Sequence, residues 1–243
     1  MMFGENTQVL VIAPVFNESD EVAHFFSTFE KLASAKNLKL SYLLVDDGST
    51  DDTLKKLLEY REKMPNLRIV ELELNWGQHP ALFAAIDKAP LLDYTIIVDF
   101  DLQNTPERAV QMLSYLIDND YDLVYGMRND VRIGNGFMSR IFWDVVCALS
   151  SLKIPKDQSS LKVFNKKFLQ SLKTLPARPE FFPAALASAS TNAGFFPVET
   201  VARVSGSSRY TQLKKIKLFT MAVLSVMINK RSEVLYKIAN MYD

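Results

Sequence analysis

With 243 residues, 48% of them apolar, the chain is long enough to bury a sizeable core and short enough for one α/β domain. Lysine and arginine together number 28, and so do aspartate and glutamate, so no global basic field exists to hold nucleic acid, and it is not an expected partner. Cys147 is the only cysteine, which excludes an internal disulfide and suits a reducing compartment.

Met1 to Asn6 carries acid where a secretory signal would carry base, and the apolar run from Val9 to Val15 suits a buried strand. Strand patterns at 8–15, 39–45, 67–74, 94–99 and 123–125 alternate with helical ones. That order predicts an α/β fold with a mostly parallel, Rossmann-like sheet and helices on both faces. In the first helix Val22, Phe25, Phe26, Phe29 and Leu32 recur at three- and four-residue spacing, behind Ser19 as the expected N-cap. Ser49 with Asp52 three residues later predicts a capping box for the second helix, and Thr105-Pro106 a cap and first turn for the fourth.

Beyond Met127 the alternation fades. Residues 137–151 and 166–175 read as helical, 161–164 as β-like, and Arg203 to Gln212 as a polar, mobile loop. The last apolar stretch, Leu218 to Ile228, falls short of the roughly 20 residues that a membrane-spanning helix needs. Flanked by Lys214, Lys215, Lys217, Lys230 and Arg231, it reads either as a core helix with charged ends or as an interfacial helix drawn to anionic lipid.

In open α/β sheets ligands sit beyond the carboxyl ends of the strands, and here those ends are polar. The first ends in Pro14-Val15-Phe16-Asn17-Glu18, the second in Asp46-Asp47-Gly48-Ser49, the third in Asn75-Trp76-Gly77-Gln78 and the fourth in Asp99-Phe100-Asp101-Leu102-Gln103. Neither a glycine-rich dinucleotide fingerprint nor a P-loop follows the first strand, so a diphosphate must be held in another way. Asp99 and Asp101, two apart at a strand end, point the same way, with Gln103 in the same parity if the chain stays extended. Two hard oxygen ligands suit Mg²⁺ or Mn²⁺ shared with substrate phosphates; taken alone, such acids are as readily solvated or cap the next helix. Asp46 and Asp47 offer a ligand contact or a helix cap, and Pro14 and Phe16 a ligand contact or strand-end packing. His24 reads as a helix-surface residue, His79 as a helix-start surface position or a ligand contact, and Trp76 and Trp143 as packing residues.

The order of these segments, continued by Tyr125-Gly126-Met127-Arg128 and by Arg203 with Gly206, Ser208, Arg209 and Tyr210, resembles the family 2 GT-A glycosyltransferases. Within them it is similar to the polyprenyl-phosphate group that includes dolichyl-phosphate mannosyltransferase. The resemblance covers nearly the whole chain and implies one GT-A domain over 1–243, with 1–127 as the nucleotide-sugar-binding half and 128–243 as the acceptor-binding half. It implies an inverting, metal-dependent enzyme that moves a sugar from a nucleoside-diphosphate sugar to an undecaprenyl or dolichyl phosphate. By the same resemblance Pro14, Phe16, Glu18 and Asp46, with Asp47 beside them, border the nucleoside, while Asp99, Asp101 and Gln103 hold Mg²⁺ or Mn²⁺. Arg128, Arg132, Arg203, Ser208 and Arg209 then serve the acceptor phosphate and the loop that closes over the donor. Asp99, Asp101, Arg128 and Arg203 are the expected catalytic set.

Two departures stand out. Phe100 occupies a place between the acids where close relatives usually carry a small residue, and Gln158-Ser159-Ser160-Leu161-Lys162 occupies the region of an Asp-Phe-Arg segment. Lys162 keeps the charge of that arginine without its fork, and a serine cannot act as the carboxylate would. Two other functions stay open: transfer to a hydroxyl of a cell-surface glycan or lipid-linked oligosaccharide, with a base such as Asp157, and a non-catalytic nucleotide-sugar-binding subunit. A lipid acceptor makes the membrane surface, or a small membrane subunit, a further expected partner. The expected location is the cytoplasm, peripheral on the cytoplasmic face of a membrane.

Overall fold

The computed structural model describes residues 3, 6–101, 106–128, 152–176, 179–190, 192–199 and 236–243. Eight strands form one sheet: β1 (Gln8–Val15), β2 (Lys39–Asp46), β3 (Leu67–Leu72), β4 (Tyr94–Ile97), β5 (Leu123–Arg128), β6 (Gln158–Asn165), β7 (Ala193–Val198) and β8 (Ile238–Tyr242). Their order is β7-β5-β6-β4-β1-β2-β3-β8. β1 pairs in parallel with β2 and β4, β2 with β3, and β5 with β7. β6 is antiparallel to both β4 and β5, and β8 to β3.

The described helices are α1 (Val22–Lys36), α2 (Thr53–Arg61), α3 (Gln78–Lys88), α4 (Pro106–Asp118), α5 (Lys166–Lys173) and α6 (Phe182–Ala189). They cover both faces, as a largely parallel sheet requires. Alternate residues of β1 divide between the two sides: Val9, Val11 and Ala13 pack with α1 and α4, while Leu10 and Ile12 pack with α3, α5 and α6.

On the α1 side Phe25, Phe26, Phe29 and Tyr42 form an aromatic cluster. Phe100 joins it, buried, with its ring stacked on Phe25 at 4.4 Å between centroids and 13° between planes. A large residue between the two acids is thus accounted for by packing. With Phe100 turned into the α1 core, Asp99 faces the α3 side, where Gln78 meets it.

Several expected boundaries and caps are corrected. β3 ends at Leu72 and β4 at Ile97, two residues before the expected ends, while β6 starts at Gln158, three residues before its expected start. The N-cap of α1 is Glu21, not Ser19. Ser19 instead donates its amide to Asp51 Oδ2 at 3.3 Å and accepts Lys56 Nζ on its carbonyl at 2.9 Å. Ser49 makes no capping box for α2; Asp51 Oδ1 takes the Thr53 amide at 2.9 Å, and the Ser49 hydroxyl accepts the Asn17 amide at 3.0 Å. Ser19 and Ser49 thus bond across to the neighbouring loop, while Asp51 caps the first turn of α2 locally. Pro106 does open α4, whereas Thr105 lies outside the described residues.

β8 has no counterpart in the sequence reading. Ile238–Tyr242 is short, and the contacts that fix it come from far along the chain: Asn240 Nδ2 and Tyr242 Oη donate to Glu71 Oε2 at 2.8 and 2.9 Å, and Asp243 pairs with Arg68.

Phe100→Ala deletes a fully stacked ring and is expected to cost about 3–5 kcal/mol. Urea unfolding of variant and wild type measures it, and a loss below about 1 kcal/mol would show that the ring is not held in the core.

Candidate active site

The site assembles at the carboxyl ends of β1 to β4, where two loops are laced together. Asn17 adopts a left-handed conformation, φ 53°, and its Oδ1 accepts the Thr50 amide at 2.8 Å while its own amide donates to Ser49 Oγ. The Glu18 amide donates to Thr53 Oγ1 at 2.9 Å, and the Asp47 amide to the Val15 carbonyl at 2.8 Å. The rim segment holding Pro14, Phe16 and Glu18 is therefore tied to the loop after β2 by backbone and side-chain bonds. All three of these residues are half-buried.

Asp46 and Asp47 are both buried but differently employed. Asp47 accepts the amides of Trp76 and Gly77, one on each oxygen, at 2.8 Å each. This clamp fixes the turn between β3 and α3. Beside it Gly48 has φ +68°, and a Cβ there would lie 2.6 Å from the Leu74 carbonyl carbon, so only glycine fits. Burial pushes the Asp47 carboxyl up to about 6, against the pull of the two amides. Asp46 takes only the Ser49 amide, at 3.1 Å on Oδ2; Oδ1 is buried with no partner, although the residue is just 1% exposed. A buried acceptor left open is costly, and a ligand N–H or O–H would satisfy it.

Asp99 follows β4 at the seam where β6 runs antiparallel to it. Gln78 Nε2, at the start of α3, donates to Oδ1 at 3.2 Å, and the Ser160 hydroxyl donates to Oδ2. Burial raises the Asp99 pKa; the Ser160 bond opposes the rise, the charge of Asp101 adds to it, and Lys162 and Arg128 oppose it. Asp99 and Asp101 are close enough to repel one another, and such a pair of carboxylates fits a divalent cation. Among the described residues no third acid, histidine or cysteine joins them in a metal-binding group. Gln103, the third expected ligand, lies outside the described residues, as do Arg132, Arg203, Ser208 and Arg209.

Lys162, two residues along β6 from Ser160, faces the same side. It is 4% exposed, donates to the Ser159 carbonyl, and sits 5.7 Å over the Tyr125 ring. Burial pulls its ammonium down to about 7, partly offset by Asp99 and assisted by Arg128. Arg128 is exposed at the end of β5, and its amide donates to the carbonyl of Asp157, itself exposed, at 2.9 Å. His79, second in α3, lies edge-on to Phe181 at 5.1 Å and keeps a buried Nδ1 without a partner. Burial, then the Lys162 charge, depresses its pKa to about 4. Trp76 is 39% exposed on the clamped turn and is not the packing residue expected. His24 is on the helix surface as expected. Trp143 and Cys147 fall outside the described residues.

Residues 10–173 match the family model for glycosyl transferase family 2. The chain belongs to glycosyltransferase family 2. It is 28% identical over 214 residues to an uncharacterized glycosyltransferase of Synechocystis sp., covering 85% of this chain and 65% of that protein. It is 30% identical over 234 residues to the dodecaprenyl-phosphate galacturonate synthase of Rhizobium johnstonii, covering 93% and 68%. The family 2 chain thus spans about two thirds of the length of these relatives, 65% and 68%. Among solved structures, glucosyl-3-phosphoglycerate synthase from Mycobacterium tuberculosis in complex with Mn²⁺, uridine diphosphate and glucosyl-3-phosphoglycerate superposes with a TM-score of 0.60 at 17% identity, covering 92% of this chain and 80% of that one. The fold is GT-A. Among the described residues no helix is long and apolar enough to cross a membrane.

Sequence reasoning missed Gln78 and Ser160 as the donors that orient Asp99. The available signal was parity: Ser160 lies two before Lys162, but the β-like stretch was read as 161–164, and the neighbours of that strand were not deducible.

The two shifted groups predict opposite pH dependence. His79, depressed from 6.5 to about 4, binds fewer protons folded than unfolded, so its contribution is lost as pH falls through that window. Asp47, raised from 3.8 to about 6, binds more protons folded, so its contribution falls as pH rises between those values. Replacing the imaidazole in His79→Gln should therefore shift the stability difference toward the variant by up to ~3 kcal/mol between pH 7 and pH 4. Urea midpoints at the two pH values measure this, and a difference that does not change with pH would contradict it.

Proposed function

We propose that this chain is the catalytic part of an inverting, metal-dependent glycosyltransferase that transfers a sugar from a nucleoside diphosphate to a polyprenyl phosphate. The observation that carries the reading is the pairing of Asp99 and Asp101 with what faces them. The two β6 side chains on that face, Ser160 and Lys162, are a hydroxyl and a buried cation rather than carboxylates. An alcohol acceptor needs a positioned base. A phosphate monoester, with its second pKa near about 6, is already largely anionic at neutral pH and needs charge complementarity instead. The dodecaprenyl-phosphate galacturonate synthase among the relatives supports an acceptor of this class.

In this account Asp46 Oδ1 accepts a hydrogen bond from the nucleoside, and Pro14, Phe16 and Glu18 form the wall beside it. Asp47 does not touch the donor: both of its oxygens are committed to the turn that places Gln78 against Asp99. Asp99 and Asp101, with Gln103 beyond them, would hold Mg²⁺ or Mn²⁺. The bound cation supplies charge stabilisation to the departing diphosphate. Ser160 and Gln78 keep the Asp99 carboxylate oriented, while Lys162 and Arg128 set a positive potential on the acceptor side. Arg132, Arg203, Ser208 and Arg209 are proposed to close over the donor and acceptor phosphates, since arginine pairs with phosphate oxygens in a bidentate fork. An acceptor in a bilayer would bring the protein to the cytoplasmic face of a membrane.

The test is release of nucleoside diphosphate from UDP-, GDP- and dTDP-sugars, with and without metal and a short polyprenyl phosphate. Turnover should need both, and Asp101→Ala should lower it roughly a hundredfold or more. Turnover with a glycan hydroxyl and none with the lipid phosphate would overturn the acceptor assignment.

A further inference from the structure

β7 is apolar throughout, and one of its faces is only partly covered by the core, Ala193 packing there while Phe195 stands exposed. Gly194, Phe196 and Val198 turn toward α4: Phe196 lies 5.5 Å from Tyr115, a Cβ on Gly194 would strike Tyr121, and Val198 is buried. Ala193, Phe195 and Pro197 point the other way, and Phe195 is 54% exposed. An edge strand ordinarily carries polar or charged residues on an open face.

Strand register connects this open face to the site. Lys162 on β6 is paired with Tyr125 on β5, and Tyr125 with Phe195 on β7. One step toward the rim, Met127 is paired with Gln158 on β6 and with Pro197 on β7. The ring of Phe195 stacks on Tyr125 at 5.9 Å and 16°, and the Lys162 ammonium lies 5.7 Å over Tyr125. A buried cation, a buried ring and an exposed ring therefore stand in one row across three strands, about 10 Å from end to end. The cation end adjoins Ser160 and Asp99; the apolar end opens at the edge of the sheet.

We infer that this row is the acceptor's track: the phosphate head of a prenyl monophosphate rests at the Ser160 and Lys162 end, and the first apolar units of its tail leave across Met127, Phe195 and Pro197. The inference rests on the reading of the acceptor as a lipid phosphate and adds the residues that select its tail. An amphiphile with an anionic head and an apolar tail is the ligand that matches a cation at one end and an aromatic at the other. A second copy pairing along β7 is a poorer occupant, because Pro197 has no N–H to offer to a neighbouring strand.

The test compares kcat/KM for methyl, dimethylallyl and farnesyl phosphates, of which only the last has a tail long enough to reach Phe195 from the cation end, at fixed donor and metal in wild type, Phe195→Ser and Phe195→Leu. Phe195 is 54% exposed and meets the core only through its stack on Tyr125, so thermal unfolding of both variants is measured alongside. Wild type should prefer the longer tails, Phe195→Ser should reduce the long-to-short ratio about tenfold with an unchanged KM for the donor, and Phe195→Leu should restore it. A ratio unchanged in Phe195→Ser overturns the track, and a change of sedimentation state with that ratio unchanged assigns the face to a second copy instead. If wild type uses no prenyl phosphate, the acceptor reading fails. The track is then judged by direct binding, where farnesyl phosphate should bind wild type about tenfold more tightly than Phe195→Ser while inorganic phosphate binds both alike; equal farnesyl phosphate affinities would overturn it.

Discussion

A carboxylate at the end of a central strand, half enclosed by protein, must be held by donors or by a cation, and the site around Asp99 is organised by that requirement. Gln78 reaches it from α3 and Ser160 from β6, so its two oxygens are oriented from opposite sides. The positions of both donors follow from larger features. Gln78 is placed by the turn that Asp47 clamps, and Ser160 by the antiparallel insertion of β6 between β4 and β5. The aromatic stack of Phe100 on Phe25 leaves the neighbouring Asp99 for the opposite side of the sheet. Folding energy spent in the α1 core thereby orients a site on the other side of the sheet.

The adjacent aspartates of β2 show how one dipeptide divides structural and chemical work. Asp47 is saturated by two amides and serves the scaffold, whereas Asp46 retains an open, buried oxygen at the rim. The difference lies in side-chain direction at the strand end, since neighbouring residues face opposite sides. The same economy appears on β6, where Ser160 and Lys162 face the acids while Leu161 and Val163 fill the opposite core. With serine and lysine at these positions, β6 carries no carboxylate on the side that faces Asp99.

Much of this was legible in the order of residues. The strands β1 to β5 are buried on both faces and therefore read as apolar runs, and the stripe of Val22, Phe25, Phe26, Phe29 and Leu32 fits the buried face of α1. Asp99 and Asp101 were read together from strand parity, but β4 ends at Ile97 and Asp101 lies in a turn, so alternation does not extend that far. The capping residues were misread because Ser19 and Ser49 bond across to the neighbouring loop, and propensity sees only the local chain. β8 was invisible because its hold on β3 comes from Glu71 and Arg68, more than a hundred residues away in the chain. The place of β6 between β4 and β5 is a matter of topology that no local pattern specifies, and with it went the partners of Asp99. Trp76 was misassigned because an aromatic after a strand reads as packing, while the Asp47 clamp holds it at the surface.

The central claim is that Asp99 and Asp101 form a cation site completed by the donor diphosphate. Two carboxylates are too few to bind Mg²⁺ or Mn²⁺ tightly without phosphate oxygens, so cation and nucleotide should bind together. Calorimetric titration of Mn²⁺ into the protein, with and without a nucleoside diphosphate and in wild type and Asp99→Asn, measures this directly. The account predicts weak Mn²⁺ binding alone, at least about tenfold tighter binding with the nucleotide, and loss of that gain in the variant. Nucleotide binding that is equally tight without the cation and unaffected by Asp99→Asn would contradict it.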